Sequence, residues 1–206
     1  MRTTIKIACL SLALMISSQA FGQKLGIKAG YNSANVHVSS SHSDYKFDSN
    51  SSYHVGLAAD FPLIGWFSLE SGLYASSKGF KMGDGSIKTT FSPTYLEIPV
   101  KLKLSIGLSK LNVYAAAGGY FDVGIGGNTT VESKVLGIEN KVKESIKWGS
   151  DGLKRVDYGT LVGAGVQISR FDIGLGYQFG MADLMDAEYD IKHVNKVFSL
   201  SLGFWF

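Results

Sequence analysis

Apolar and polar residues alternate with a period of two along most of the chain, and this alternation constrains the fold more than any other feature. Successive side chains of a β-strand point to opposite faces, so such alternation predicts strands with one apolar and one polar face. In residues 111–125, Leu111 and Val113 share a face, and Asn112 and Tyr114 share the other. The alternation predicts eight strands, at 23–38, 53–64, 67–82, 89–107, 111–130, 156–170, 171–185 and 194–206.

Composition excludes several other classes of protein. The 206 residues are 45% hydrophobic and 18% charged, with 25 Gly, 3 Pro and 1 Cys. A disordered chain would be richer in charge and Pro and poorer in aromatic residues. A single Cys excludes a disulfide scaffold and a cysteine-based zinc site. No apolar run reaches the roughly 18 residues of a transmembrane helix.

The N-terminus has the pattern of a secretory signal peptide. Arg2 and Lys6 give a basic start, an apolar stretch follows, and Ala20 and Gly22 are small residues at positions −3 and −1 of a cleavage site. We therefore expect residues 1–22 to be a cleaved signal peptide, with cleavage after Ala20 as the alternative.

The mature chain, residues 23–206, is expected to form one β-barrel domain. Removal of the signal takes away two cations, Arg2 and Lys6, and no anion, so the formal charge falls from +3 to +1. A nearly neutral chain gives no reason to expect nucleic acid as a partner.

Alternation alone does not distinguish a membrane barrel from a soluble barrel or sandwich, but the strands favour the membrane. They run ten residues or more, enough for a tilted bilayer crossing of about 9–11 residues. Their polar faces carry many small residues, which suit a narrow lumen. Aromatic residues recur near strand ends, where interfacial girdles are expected: Tyr31, Tyr53, Phe61, Trp66, Phe67, Phe80, Phe91, Tyr177 and Phe206.

The connections between strands alternate in length. Short ones are expected at Pro62–Trp66, Gly107–Lys110 and Ser169-Arg170, and long ones at 39–52, 83–88, 131–155 and 186–193. Outer-membrane barrels have short periplasmic turns and longer outer loops. The sequence therefore predicts an all-β protein, an eight-stranded antiparallel up-and-down transmembrane β-barrel in a bacterial outer membrane, with both termini periplasmic.

Several segments resemble a known family. They are Gly26–Asn32 (GIKAGYN), Tyr95–Lys103 (YLEIPVKLK), Asp157–Val166 and the ending Val197–Phe206 (VFSLSLGFWF). They look like those of the small outer-membrane β-barrels of Bacteroidetes-type bacteria, the porin-family or PorT-like β-barrel domain. The resemblance implies an OmpA/OmpX-like architecture, and the terminal aromatic resembles the signal read by the outer-membrane insertion machinery. PorT itself belongs to a type IX secretion apparatus, but none of these motifs singles out that component.

With the apolar faces toward lipid, a set of polar side chains points into the lumen. An eight-stranded barrel has room mainly for its own side chains, and buried charges must be paired. We expect an ion-pair network that fills and braces the barrel; the alternative is a permeation path or a polar ligand site. The set comprises Lys28, Asp60, Glu70, Lys78, Glu97, Lys101, Lys103, Asp122 and Asp172, together with Gln178.

The long connection 131–155 is the candidate segment for contact with a protein partner. Its candidate contact residues are Ile138, Val142, Ile146 and Trp148. Their spacing allows a short amphipathic helix, and strand extension above the membrane is an equal alternative. We expect Trp148 either to anchor at the interface or to dock a partner. A solvated loop without a dedicated partner is the simpler alternative.

The sequence offers little for catalysis. The four histidines show no metal-ligand spacing. Ser41-His42-Ser43-Asp44 contains the residue types of a Ser-His-Asp catalytic triad, but such a triad is defined by geometry and not by adjacency in the sequence. We expect no enzyme, cofactor or metal, but a monomeric structural or interaction barrel with a mostly filled lumen. Its expected partners are outer-membrane lipid and the insertion machinery. A narrow porin-like channel, an accessory barrel of a type IX-like secretion system and an outer-face enzyme are the alternatives, in that order.

Overall fold

Strands form nearly all of the chain that the computed structural model describes, which is residues 22–39, 45–46, 48–84, 87–108, 110–135, 138–146, 148–149, 154–182 and 192–206. Residues 1–21, and with them most of the predicted signal peptide, lie outside the described residues. The long strands are β1 (Lys24–Ser39), β2 (Asp48–Pro62), β3 (Phe67–Ser77), β4 (Ile87–Leu108), β5 (Leu111–Val135), β6 (Val156–Ile168), β7 (Phe171–Gly180) and β8 (Lys192–Trp205). Shorter strands are Tyr45–Lys46, Phe80–Asp84 and Ile138–Ser145. In the described part, no helix is long and apolar enough to cross a membrane.

The eight long strands close into a ring. Each pairs antiparallel with its neighbour in the chain, and β1 pairs with both β2 and β8. At the closure, Gly26 of β1 lies opposite Ala58 of β2 and Trp205 of β8. This confirms the predicted eight-stranded antiparallel barrel. Because the ring is closed, no long strand leaves a free edge of unpaired backbone groups.

The apolar faces of the strands point outward. Leu102 is 49% exposed and Leu202 62% exposed, whereas Glu97 and Lys103 on the opposite face are buried. A soluble barrel would bury its apolar face, so this orientation excludes the soluble alternative and fits a surface in contact with lipid.

Outward-facing aromatic residues lie at both ends of the apolar belt. Trp66, Phe171 and Phe206 are exposed at the end of the short turns, and Tyr53 and Tyr158 are exposed toward the opposite end. This is the expected pair of interfacial girdles.

Phe80 and Phe91 do not belong to these girdles, so that part of the prediction is wrong. They lie directly opposite each other and stack with ring centroids 5.0 Å apart. Alternate residues of a strand share a face, and Phe91 is four residues from the inward-facing Tyr95 on β4. The stacked pair therefore lies on the inner side of the sheet.

The structure corrects the predicted strand ends on the side of the long connections. The predicted strand 67–82 is interrupted after Ser77, because Lys78 turns into the lumen and Gly79 has a φ of 122°. The connection predicted at 83–88 is instead a hairpin between Phe80–Asp84 and β4. Residues 131–135 continue β5 and pair with Ile138–Ser145. The strand extension that is one of the two alternatives for 131–155 is therefore confirmed at 131–135 and Ile138–Ser145.

A closed barrel resists unfolding by detergent until it is heated. We therefore expect unheated samples to migrate differently from boiled samples in detergent gels. Identical migration of the two samples would contradict the closed ring.

Candidate functional site in the barrel lumen and outer hairpin

Glu70 on β3 is the centre of the ion-pair cluster nearer the short turns. Its carboxylate oxygens lie 2.9 Å from Lys28 Nζ, 2.6 Å from Lys101 Nζ and 3.3 Å from Lys103 Nζ. Strand register sets Glu70 directly opposite Lys101 on β4. The Glu70 side chain is 1% exposed, so this buried carboxylate is a shared ion-pair partner of all three lysines.

Two further carboxylates complete the cluster. Lys103 Nζ lies 2.8 Å from Asp60 Oδ2, and Lys28 Nζ lies 3.2 Å from Asp172 Oδ1. Gly203 stands between Lys28 and Asp172 in the register, and a Cβ there would lie 3.0 Å from the Lys28 side chain. The absence of a side chain at Gly203 therefore leaves room for that ion pair. The cluster contains as many lysines as carboxylates.

Aromatic rings fill the space around this cluster. Lys103 Nζ lies 4.5 Å from the centre of the Tyr114 ring, and Lys28 Nζ lies 5.0 Å from that of Trp205. Tyr114 also donates a hydrogen bond of 3.1 Å to Asp172. Charge pairs and cation–π contacts together form a layer across the lumen.

Lys78 is the centre of a second cluster, nearer the long connections. Its fully buried Nζ lies 2.5 Å from Asp122 Oδ2 and 3.1 Å from Glu97 Oε2. It also lies 4.2 Å from the centre of the Tyr120 ring. Gln178 donates a hydrogen bond of 2.8 Å to the other oxygen of Glu97.

Asp157 is a third carboxylate at this level. It lies directly opposite Asp122 across β5 and β6, and Asn195 donates a hydrogen bond of 2.8 Å to it. One oxygen each of Asp122, Asp157 and Asn195 is buried without a hydrogen-bond partner among the described residues. These orphaned acceptors are places where ordered water can bind.

A cavity of about 100 Å³ lies between the two clusters. Its lining includes Lys28 and Lys101 from the first cluster and Glu97 from the second. His54 also lines it; its ring nitrogens lie 2.8 Å from Asn32 Oδ1 and 2.9 Å from Ser201 Oγ. At roughly 30 Å³ per water molecule, the space holds about three waters.

The structure gathers the polar residues predicted for the lumen, but into two groups. Lys28, Asp60, Glu70, Lys101, Lys103 and Asp172 form the first group, and Lys78, Glu97, Asp122 and Gln178 form the second. Sequence reasoning missed Asp157, Tyr114 and His54 as members of the lumen. Parity could have found Asp157, because it shares a face of β6 with Gly159 and Leu161.

Trp148 covers the second cluster rather than the membrane interface. Its ring packs edge-on against Tyr95, with centroids 5.5 Å apart. A Cβ on the inward-facing Gly124 would lie 2.4 Å from the Trp148 ring, so only glycine leaves space for it. The indole packs inside the outer end of the barrel, so the predicted anchor at the lipid interface is wrong. Contact of Trp148 with a protein partner stays a prediction.

The last residues of β5 and the strand Ile138–Ser145 form a hairpin, which we call the outer hairpin. Its described residues contain no amphipathic helix. Ile138 begins the strand Ile138–Ser145, where Val142 is exposed and lies opposite Val131. Ile146 donates a backbone hydrogen bond to Gly127 and is only half-buried. The amphipathic-helix alternative is wrong, because pairing with β5 makes this segment a strand, and side chains of a strand alternate between its two faces.

Among the described residues, no group of three or more His, Cys, Asp or Glu could hold a metal ion. Residues 40–44, which include the Ser41-His42-Ser43-Asp44 segment, lie outside the described residues.

Comparison with known proteins gives a family and a set of similar folds. A family model described as "Outer membrane protein beta-barrel domain" matches residues 17–186. Ail, the attachment invasion locus protein of Yersinia pestis, is 18% identical with a TM-score of 0.44, over 89% of this chain and 98% of that chain. OprG from Pseudomonas aeruginosa is 11% identical with a TM-score of 0.45, over 89% and 95%. Neisserial surface protein A is 12% identical with a TM-score of 0.42, over 88% and 97%. No curated protein matches the chain.

Proposed function

Because the chain belongs to the outer membrane protein beta-barrel domain family, we propose that it is a non-enzymatic structural or interaction barrel. In this proposal the barrel is monomeric and its lumen is closed by its own side chains. Its long hairpins are presented to the outside of the cell. The narrower placement among the PorT-like barrels of Bacteroidetes is part of the proposal and is supported by the Tyr95–Lys103 and Val197–Phe206 motifs.

The filled lumen is the observation that carries the proposal. An ion would have to pass the layer built on Glu70, the layer built on Lys78 and the indole of Trp148. The space between the layers is a cavity of about 100 Å³. Selective pores are lined by rings of one sign of charge, whereas both layers contain charges of both signs. Among the described residues, the layer built on Glu70 holds three lysines and three carboxylates, and the layer built on Lys78 holds one lysine and three carboxylates.

The lengths of the connections support the proposed orientation in the membrane. β1 begins and β8 ends at the short turns, with Trp205 donating a backbone hydrogen bond to Arg170. Short turns are periplasmic in this class of barrel. We therefore place both termini in the periplasm and the hairpin of β5 with Ile138–Ser145 outside.

Planar-bilayer conductance tests the proposal. We expect the refolded mature protein to give no steady current, and Lys101→Ala and Glu97→Ala to change this little because the remaining layer still blocks the path. Lys141→Ala, on the outer hairpin, is the matched control. The gel-mobility shift verifies that each sample is folded and inserted.

The opposite result would identify the protein as a small channel. A steady current whose ion selectivity changes with Lys101→Ala or Glu97→Ala, but not with Lys141→Ala, would establish it. A role as an accessory barrel in secretion would show instead as retention of exported cargo in the periplasm after deletion of the gene.

A further inference from the structure

A small sheet rises from one side of the barrel above the apolar belt. It consists of Phe80–Asp84, the first residues of β4, the last residues of β5 and the strand Ile138–Ser145; we call it the outer sheet. Its register aligns lysines across the strands. Lys88, Glu132 and Lys141 form one row, and Lys81, Thr90, Thr130 and Lys143 form the next.

These rows face the same side as the lipid-facing surface of the barrel. Lys88 and Thr90 have the parity of the outward Ile98 and Leu102 on β4. A bulge between Thr94 and Tyr95 shifts the pairing with β5 by one residue. Inward positions of β5 are therefore even below the bulge and odd above it, and Glu132 and Thr130 turn outward beside Lys88.

The lysines lie beyond the headgroup layer of a phospholipid, which is about 5–8 Å thick, at a height that the larger sugar headgroup of a glycolipid reaches. Leu96 is the last apolar outward residue of β4, and Thr90 and Lys88 follow at six and eight residues beyond it. At about 3.3 Å per residue and a tilt near 45°, this is roughly 14–19 Å further along the membrane normal. Ser92 and Thr94 hold the even-numbered positions in between, and Ser92 Oγ accepts a hydrogen bond of 2.9 Å from Asn50.

Cations exceed carboxylates on this face. Lys141 Nζ lies 2.7 Å from Glu132 Oε1, and this contact holds the pKa of Glu132 below its usual value, so the carboxylate stays ionised. Asp48 occupies the register position opposite Lys81. Lys88 lies directly opposite Glu132 and shares that carboxylate with Lys141, and Lys143 lies opposite Thr130. In the described part of the chain, the two rows thus hold four lysines against Glu132 and Asp48, which leaves a positive surplus.

We propose that this basic face, defined by Lys88, Lys141 and Lys143, binds the phosphate groups of an anionic glycolipid in the outer leaflet. The charges are complementary, and the face continues the surface that contacts the acyl chains of the same leaflet. The proposal rests on the orientation given under the proposed function, with the long hairpins outside. Lysine suits this role because its ammonium binds phosphate as a point charge.

Binding of phosphorylated lipopolysaccharide to the refolded mature protein in detergent micelles tests the proposal. The basic-face variant is Lys88→Gln/Lys141→Gln/Lys143→Gln. The matched control, Lys24→Gln/Lys110→Gln/Arg170→Gln, removes the same charge from exposed residues at the end of the short turns. Each lysine near an anionic lipid surface strengthens binding about fivefold, so we expect the basic-face variant to bind roughly 100-fold more weakly.

The control should bind like the wild type, and enzymatic removal of the lipid phosphates should weaken wild-type binding to the level of the basic-face variant. Equal loss in both variants, or equal affinity for phosphorylated and dephosphorylated lipid, would overturn the proposal. Tight binding of soluble inorganic polyphosphate without binding of the lipid would also overturn it. The assay does not depend on conductance, so such a result would leave the proposed function standing.

Discussion

Replacing Glu70 by Gln is expected to lower the free energy of unfolding by about 3–5 kcal/mol. Three lysine ammonium groups lie within 3.3 Å of this carboxylate, and the substitution leaves their charges in the lumen without their shared partner. Equilibrium unfolding in urea, followed by the gel-mobility shift and by tryptophan fluorescence, measures the change.

Two variants serve as controls for Glu70→Gln. Glu132→Gln breaks a single exposed ion pair with Lys141 on the outer hairpin and should leave the unfolding midpoint unchanged. Lys28 and Lys103 keep Asp172 and Asp60 as partners in Glu70→Gln, whereas Lys101 loses its carboxylate partner. Adding Lys101→Met removes that ammonium group, so part of the lost stability should return. If Glu70→Gln were as mild as Glu132→Gln, the lysines would not depend on Glu70 and the lumen cluster would have no bracing role.

Replacing Leu102 by Arg is expected to destabilise the barrel by about 2–4 kcal/mol. Leu102 lies between Leu69 of β3 and Ala117 of β5 in the register, near the middle of the apolar run that Leu96 and Ile106 bound on β4. Arginine at this depth places a charge in the hydrocarbon. Unfolding in lipid vesicles, where the bilayer thickness is defined, is the appropriate measurement.

Thr90→Arg is the matched control for Leu102→Arg. Thr90 lies on the same face of the same strand, but above the apolar belt and beside Lys81 and Lys143. We expect its substitution to be nearly neutral in stability. A neutral result for Leu102→Arg itself would show that this face does not contact hydrocarbon, and the assignment of inside and outside would have to be reversed.

The inner and outer faces of the barrel could be predicted because parity is a local property. Once Leu102 is assigned to lipid, Lys101 and Lys103 must point inward, whatever the neighbouring strands do. Lys28, Glu70 and Asp172 follow in the same way on their own strands. Asp157 follows the same alternation on β6, so the sequence contained the information needed to place it in the lumen.

Partners across the lumen could not be predicted because they depend on the register between strands. Among the residues that the structure describes, the two clusters contain four inward lysines and six inward carboxylates, but no local signal assigns three of the lysines to Glu70. Nor does it show that Lys78 meets Asp122, a residue 44 positions away. The separation of the charges into two clusters follows from the closure of the ring.

The outer hairpin shows a second limit of local reasoning. Residues 138–146 have apolar side chains at a spacing that suits a helix. They form a strand instead, because β5 offers hydrogen-bond partners along its backbone from Asn128 to Val135. Trp148 turned inward because Gly124 and Tyr95 leave a space that its ring fills. Both outcomes depend on residues distant in the chain, which no window of sequence contains.

The sequence by itself determined the strand number, the antiparallel order, the membrane-facing surface and the polar character of the lumen. Period-two alternation and connection length are local properties, which short segments of sequence are enough to reveal. The tertiary structure decided which charges pair, where the lumen is closed and which way the outer sheet faces. The bulge between Thr94 and Tyr95 decides which residues of β5 share the outward face of the outer sheet, because it exchanges the inward and outward positions of β5. A one-residue shift of register reverses every side chain beyond it, and only the paired strands fix where that shift occurs.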